Sequence, residues 1–305
     1  MEILRWERNP WGQQVLRGLG WDTLYVAAAV GVIFMMAHAL YQWKRPAQIN
    51  GEEDLARLMQ MYEGVPERVV RHPLASRIFH WAMAAAMFAL LLTGFLPILG
   101  VQFSWVTAHW ISGIVLTGLV LFHIAHSTWM GLDTMWISRR EIQDACNQVR
   151  RLLGKEVPEP GKPGKYPLEN KLFHHATALF SLGVIGTGLL MMVRVDTPFW
   201  VRNPYLLPDA TWGVIYVIHG VSAVAFVTMI MAHIYFAARP EKRWITWSMI
   251  RGWISRRHYL QHHDPELWRV EPEGPRARRK VSRPGAGPVS RPRTAGGRKP
   301  QSGRT

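Results

Sequence analysis

The stretch "VIHGVSAVAFVTMIMAHIYFAARP", residues 217–240, has no charged side chain until Arg239. A hydrocarbon core of about 30 Å is crossed by roughly 20 apolar helical residues, so this stretch is long enough to span a bilayer. Yet it holds two imidazoles, His219 and His233. Fourteen residues of helix rise about 21 Å and turn about 1,400°, roughly 40° short of four full turns. The two histidines therefore share one helix face at two depths. Ionisable groups inside a bilayer are costly, rare and mostly functional.

Working outward, four further segments qualify, roughly 24–43, 78–98, 105–127 and 172–193, beside 212–237 itself. None of the five contains Lys, Arg, Asp or Glu. The mean hydropathy of −0.02 averages these runs with intensely basic loops, so it does not argue for a soluble chain. A lone spanning segment must satisfy its own backbone, so each is read as a helix. The expected fold class is an all-α integral membrane protein with five transmembrane helices.

Charge sets the expected orientation. Lys and Arg number 3 before the first helix, then 6, 0, 8 and 2 in the successive loops, and 17 after the last helix. The rich connections are expected in the cytoplasm, which leaves the N-terminus outside. Arg5, Arg8 and Arg17 run against that preference. Cleavage near Ala37-His38-Ala39 would leave the basic residues 44–77 outside, so the first helix is read as an uncleaved anchor.

Cys146 is the one cysteine. It excludes an internal disulfide, a thiolate-held iron–sulfur cluster and a Cys-x-x-Cys-His haem attachment, so any redox cofactor must be held by other ligands. The Pro-, Gly- and Arg-rich residues 269–305 are expected to form a disordered cytoplasmic tail near anionic lipid. The net charge of +15 thus reflects topology, and no nucleic-acid partner is expected. Residues 241–268 place Trp244, Trp247 and Trp253 among basic residues and read as an interfacial cytoplasmic helix, with His258 and His262 solvated.

The chain contains a duplication. Residues 77–94, "RIFHWAMAAAMFALLLTG", align with 171–188, "KLFHHATALFSLGVIGTG". Arg77 matches Lys171, Phe79 matches Phe173, His80 matches His174, and Thr93-Gly94 match Thr187-Gly188. Residues 109–124, "HWISGIVLTGLVLFHI", align with 219–234, "HGVSAVAFVTMIMAHI", so that His109 matches His219 and His123 matches His233. Two hairpins of one design make a four-helix bundle, where cofactor sites form between facing helices. Three parts are expected: an N-terminal anchor and connection over 1–70, the bundle with its interfacial segment over 71–268, and the tail.

The histidines then form two layers. His109 and His219 lie toward the outer side; His80, His123, His174 and His233 lie toward the inner side. Zinc ligands on one helix would stand three or four residues apart, and a proton relay would include buried Asp or Glu. Haem fits the layers: two axial imidazoles fill both open positions on the iron, leaving only electron transfer. Small residues near the histidines (Ser112, Gly113, Gly118, Gly220, Ser222) either admit a porphyrin or serve helix packing. Arg77 and Lys171 either pair with haem propionates or anchor the helices by snorkelling.

Arg77-x-x-His80-Trp81, His109, Gly164-Lys165-Tyr166, His219-x13-His233, Ser255-Arg256-Arg257 and His262-His263-x-Pro265 together carry a resemblance. Over about 71–268 the chain resembles the di-haem cytochrome b (gamma) subunit of membrane-bound formate dehydrogenases. It is similar in outline to nickel–iron hydrogenase cytochromes b and bacterial cytochromes b561. The resemblance implies a multi-pass bacterial inner-membrane subunit without a substrate-oxidising site. It would take electrons from an iron–sulfur subunit and its catalytic dehydrogenase partner outside, and pass them to quinone inside. It implies two haems b, the outer between His109 and His219 and the inner between His80 and His233. The duplication offers His123 with His233 as a rival, and His123 with His174 permits a third haem. The family's Lys-Tyr-Asn before the fourth bundle helix reads Lys165-Tyr166-Pro167 here, so Asn170, Lys171 and His233 stand as quinone candidates. Open alternatives are a hydrogenase cytochrome b, a stand-alone b561 quinol oxidase and, in another class, a haem-free scaffold or metal-ion handler.

Overall fold

The computed structural model describes residues 2–44, 52–130, 133–158 and 160–271. The tail expected to be disordered falls, from residue 272 onward, outside the described residues. In chain order the elements are β1 (Leu4–Arg8), β2 (Gln14–Leu19), α1 (Asp22–Lys44), α2 (Glu52–Met61), β3 (Arg68–Val70), α3 (Leu74–Phe95) and α4 (Trp105–Met130). They continue with α5 (Arg139–Leu152), α6 (Leu168–Met191), α7 (Asp209–Ala238), α8 (Arg243–Arg251), β4 (Trp253–Ser255) and α9 (Arg256–His262). Five of the helices, α1, α3, α4, α6 and α7, are long and apolar enough to cross a membrane, as the sequence predicts.

Prolines mark the helix limits. Pro73, Pro167 and Pro208 sit in extended conformation directly before α3, α6 and α7. A proline lacks the N–H and its ring blocks the preceding turn, so each helix starts there. Arg239 is extended because Pro240 follows, and α7 stops.

α3 packs on α4 and α6 packs on α7, as the two matched hairpins require, and α4 meets α6 to close the bundle. α1 lies outside, against α7. Gly31 permits that approach, since a Cβ there would lie 2.9 Å from the Met231 sulfur. The Thr228 hydroxyl donates to the Ala27 carbonyl across the same seam at 2.9 Å.

One end of the bundle carries a β-hairpin that the sequence reading does not anticipate. β1 and β2 pair antiparallel around a turn in which Asn9 Oδ1 accepts the N–H groups of Trp11 and Gln13. β2 lies on the start of α7, where Gly213 leaves no room for a Cβ, which would fall 2.7 Å from the Leu16 carbonyl oxygen. Arg5 pairs with Glu7 at 3.2 Å, and Arg17 reaches Asp209 at 3.8 Å.

The opposite, basic end carries a small folded unit. β3 pairs antiparallel with β4, and α2 packs on α9. Val65, Val69, Ile254, Tyr259, Leu260 and Trp268 form its core. This corrects the reading of 241–268 as one interfacial helix: Gly252, at φ 92°, turns the chain out of α8 and into β4. Only glycine adopts that conformation freely. His258 and His262 are not solvated loop residues either, since both stack on Trp244, at 5.3 and 4.8 Å between ring centres.

Candidate functional site

Near the hairpin end, His109 on α4 faces His219 on α7 with ring centres 6.3 Å apart and planes inclined at 62°. Each imidazole is oriented by a threonine of the preceding helix. Thr93 Oγ1 lies 2.6 Å from the Ala89 carbonyl and 2.8 Å from His109 Nδ1. Thr187 Oγ1 lies 2.5 Å from the Gly183 carbonyl and 2.9 Å from His219 Nδ1. A hydroxyl has one proton to give. Donated to the carbonyl one turn back, it leaves the oxygen to accept from Nδ1–H. That fixes the tautomer with the lone pair on Nε2, the arrangement by which an outer partner prepares a metal-binding histidine. Beside each threonine a glycine meets the imidazole: a Cβ at Gly94 or Gly188 would stand 3.5 Å from Cε1 of His109 or His219. A methyl group there would already be in van der Waals contact with the ring.

At the basic end the structure joins His80 with His233, 6.3 Å between ring centres, and His123 with His174, 5.9 Å. By the duplication these two pairs are images of one another, while His109–His219 is its own image. The aromatic support repeats as well: Phe79 stacks on His123 at 4.4 Å and Phe173 on His233 at 5.2 Å. Among the described residues no ring contact joins His123 to His233. His80 Nδ1 is buried without a hydrogen-bond partner.

An imidazole nitrogen lies about 2 Å from a first-row metal it binds and roughly 1 Å from its own ring centre, so two axial imidazoles stand about 6 Å apart, centre to centre. The observed spacings match. Neutral nitrogen donors facing each other between apolar helices fit a haem iron with both axial positions filled. Between the two layers lies a dry block: Ala86, Met87, Leu116 and Phe226 are buried together. Leu116 falls seven residues after His109 and seven before His123; Phe226 falls midway between His219 and His233 in the same way.

The quinone candidates lie around the first turn of α6. Asn170 is half-buried there. Lys171 is buried, and its ammonium is engaged by Glu141 at 2.8 Å and by the Trp136 carbonyl at 2.9 Å. Glu141 also completes a capping box with Ser138 at the start of α5. Burial alone would raise the Glu141 carboxyl, but hydrogen bonds from Lys171 and Ser138 outweigh it and hold the group below its usual range.

Lys165-Tyr166 packs instead into a cationic, aromatic cluster with Arg71, His72, His263 and Trp268. Burial, reinforced by Arg71, Lys165, His80 and Arg77, pushes His72 down to about 3. Burial pushes His263 down to about 4 despite its bond to the Gly164 carbonyl, and His262 down to about 4 with His258 adding to the effect. An unfolded histidine titrates near 6.5. Between these values the unfolded chain binds protons that the folded unit refuses, so stability is full above pH 6.5 and falls as the pH drops toward 4. Melting in detergent, followed by tryptophan fluorescence, should show a level midpoint from pH 7 to 8 and a progressive fall from 6.5 to 4. A level midpoint through that lower window would contradict the assignment.

The orienting residues Thr93, Thr187, Gly94, Gly188, Phe79 and Phe173 have no role in the sequence reading, although the duplication pairs them. The repeat was itself the signal, because these residues recur at matched places in both hairpins. Thr187→Val should strand the buried Nδ1–H of His219 and lower the ligand's basicity. Losing such an outer partner costs about 10–100-fold in metal affinity. Redox titration should then show the hairpin-end step moved to a more positive potential, with the other step unmoved; two unmoved steps would contradict the role.

Comparison with known proteins supplies the remaining context. The chain is 25% identical over 221 residues to the formate dehydrogenase cytochrome b556 subunit of Haemophilus influenzae, covering 67% of this chain and 84% of that protein. It is 25% identical over 214 residues to the formate dehydrogenase cytochrome b556(fdo) subunit of Escherichia coli K12, covering 65% and 90%. The profile of the family described as prokaryotic cytochrome b561 matches residues 71–252, the span that holds both histidine layers and all four bundle helices. The chain belongs to the prokaryotic cytochrome b561 family, a family of multi-pass membrane cytochromes that bind haem b and transfer electrons.

Proposed function

We propose that this chain is the di-haem membrane subunit of a formate dehydrogenase-like complex, passing electrons from an iron–sulfur subunit on the outer side to quinone at the inner side. The observation that carries this reading is the pair of imidazole couples, His109–His219 and His80–His233, each with ring centres 6.3 Å apart, at two levels of one bundle. When bound, the iron porphyrins supply one-electron chemistry. Thr93 and Thr187 hold the hairpin-end imidazoles in the tautomer that offers Nε2. Leu116, Phe226, Met87 and Ala86 keep water out of the space between the layers, so protons do not follow the electrons.

The hairpin end is assigned to the outside. There Arg5 and Arg17 are partly neutralised by Glu7 and Asp209, which weakens the objection that N-terminal arginines raise against this orientation. The hairpin and α1 both pack on α7, which supports an anchor that is retained. The division into an N-terminal anchor, a bundle and a tail stands within this proposal, with residues 52–70 folding alongside 243–270. At the inner end Asn170 and His233 border the quinone. Lys171 acts there by holding the first turn of α6 through Glu141.

The test uses the purified chain in liposomes with a membrane-impermeant reductant outside and a quinone in the bilayer. The proposal expects the haem to reduce from outside and to reoxidise as quinone is added, in those molecules that expose the hairpin. Reduction without reoxidation by quinone would overturn it.

A further inference from the structure

Arg71 is 1% exposed, so its charge is almost wholly removed from water. A guanidinium cannot shed its proton in a protein, so a buried one needs an opposite charge. Three other inner-end cations have one: Lys171 pairs with Glu141, Arg256 with Glu67 and Arg239 with Glu241. Arg71 has no carboxylate partner among the described residues. Its Nη1–H donates to His263 Nε2 at 2.9 Å, so that nitrogen carries no proton, and with its one proton on Nδ1, donated to the Gly164 carbonyl at 2.7 Å, His263 is neutral. Arg71 Nε is buried with no partner. Three rings, Tyr166, Trp244 and Trp268, stand 5.7–5.8 Å from its guanidinium carbon and offset part of the charge.

The neighbours add to the imbalance. Lys165 adjoins Arg71 on the Tyr166 side, where His72, kept neutral by burial and by the cations around it, offers no counter-charge. Arg77, one turn before His80 on α3, donates to the Ile250 carbonyl at 2.6 Å and also keeps a buried, unpartnered Nε. Lys171, an expected propionate partner, is meanwhile taken by Glu141. An uncompensated cationic cluster therefore leads from the folded inner unit toward His80.

We propose that Arg71, flanked by Lys165, His72 and Arg77, is an oxyanion-receiving site that holds the carboxylate side groups of the porphyrin bound at His80 and His233. The proposal rests on the reading of that histidine pair as a haem site. The shared chemistry is a carboxylate or phosphate on a planar guanidinium fork. Here the carboxylates come from the cofactor, and a free or lipid phosphate is the competing source.

Positive charge beside a haem favours its reduced, more negative form. Arg71→Gln in the haem-loaded full-length protein should therefore move one of two redox steps to a more negative potential, by at least a tenfold change in equilibrium constant, about 59 mV for one electron. Arg71→Lys should restore much of it. The hairpin-end step serves as an internal control of folding and should stay in place. The resonance Raman modes of the porphyrin carboxylates should shift in Arg71→Gln alone. Unmoved steps and unmoved carboxylate modes, in a variant with full haem content, would overturn the inference while leaving the di-haem reading intact. A wild-type step that moves with added inorganic phosphate, or with phosphatidylglycerol in the bilayer, and stops moving in Arg71→Gln would assign the site to phosphate and overturn it as well. A wild-type protein without haem would instead remove the underlying reading.

Discussion

Alanine in place of His219 is expected to remove about half of the haem b from the purified protein and to abolish one of two redox steps. His219 lies on α7 with its Nδ1–H held by Thr187 and its ring facing His109. The haem is not covalently attached, since the single cysteine cannot form a thioether pair. Its retention therefore depends on both axial bonds and on the apolar cleft. His109 alone would leave an open iron position and a cavity on the α7 side. His233→Ala should remove the other step and spare the first, because the buried layer of Leu116 and Phe226 separates the two sites. Haem content and both potentials unchanged in either variant would end the assignment.

Glu141→Gln is expected to destabilise the protein by about 3 kcal/mol, the low end for breaking a buried ion pair. The side chains of Lys171 and Glu141 are 10% and 18% exposed, so the charge left on Lys171 would stay largely out of water. Glutamine preserves the capping box at Ser138, so the variant isolates the charge. Lys171→Met combined with Glu141→Gln should recover most of the loss, because a neutral, well-packed pair avoids the desolvation cost. Resistance to unfolding by sodium dodecyl sulfate in mixed micelles would read these differences. The same double variant separates two roles for Lys171. If Lys171 positions the first turn of α6, quinone reduction should survive in the double variant. If it hands protons to quinone, reduction should be lost in the double variant.

The membrane helices and the bundle were legible because their signals are local and strong. An uncharged run of twenty residues has few alternatives, and histidines repeated at matched places in two hairpins expose both layers. What escaped the sequence reading depends on distance. β3 and β4 are three residues each and pair across more than 180 positions, so neither is visible in its own composition. Arg71 looks like one more inner-loop arginine until His263, Trp244 and Trp268 close over it. The capping box of Ser138 and Glu141 was readable as Ser-Arg-Arg-Glu, but its second bond, to Lys171, was not. The N-terminal hairpin could have been suspected from Asn9-Pro10-Trp11-Gly12, a turn sequence between two short alternating runs.

Redox titration of the purified wild-type chain, with the haem-to-protein ratio measured on the same sample, bears most directly on the two layers of paired imidazoles. Two haems b per chain, titrating in two one-electron steps with spectra of iron ligated by two imidazoles, is the expected result. One haem, or none, would contradict it.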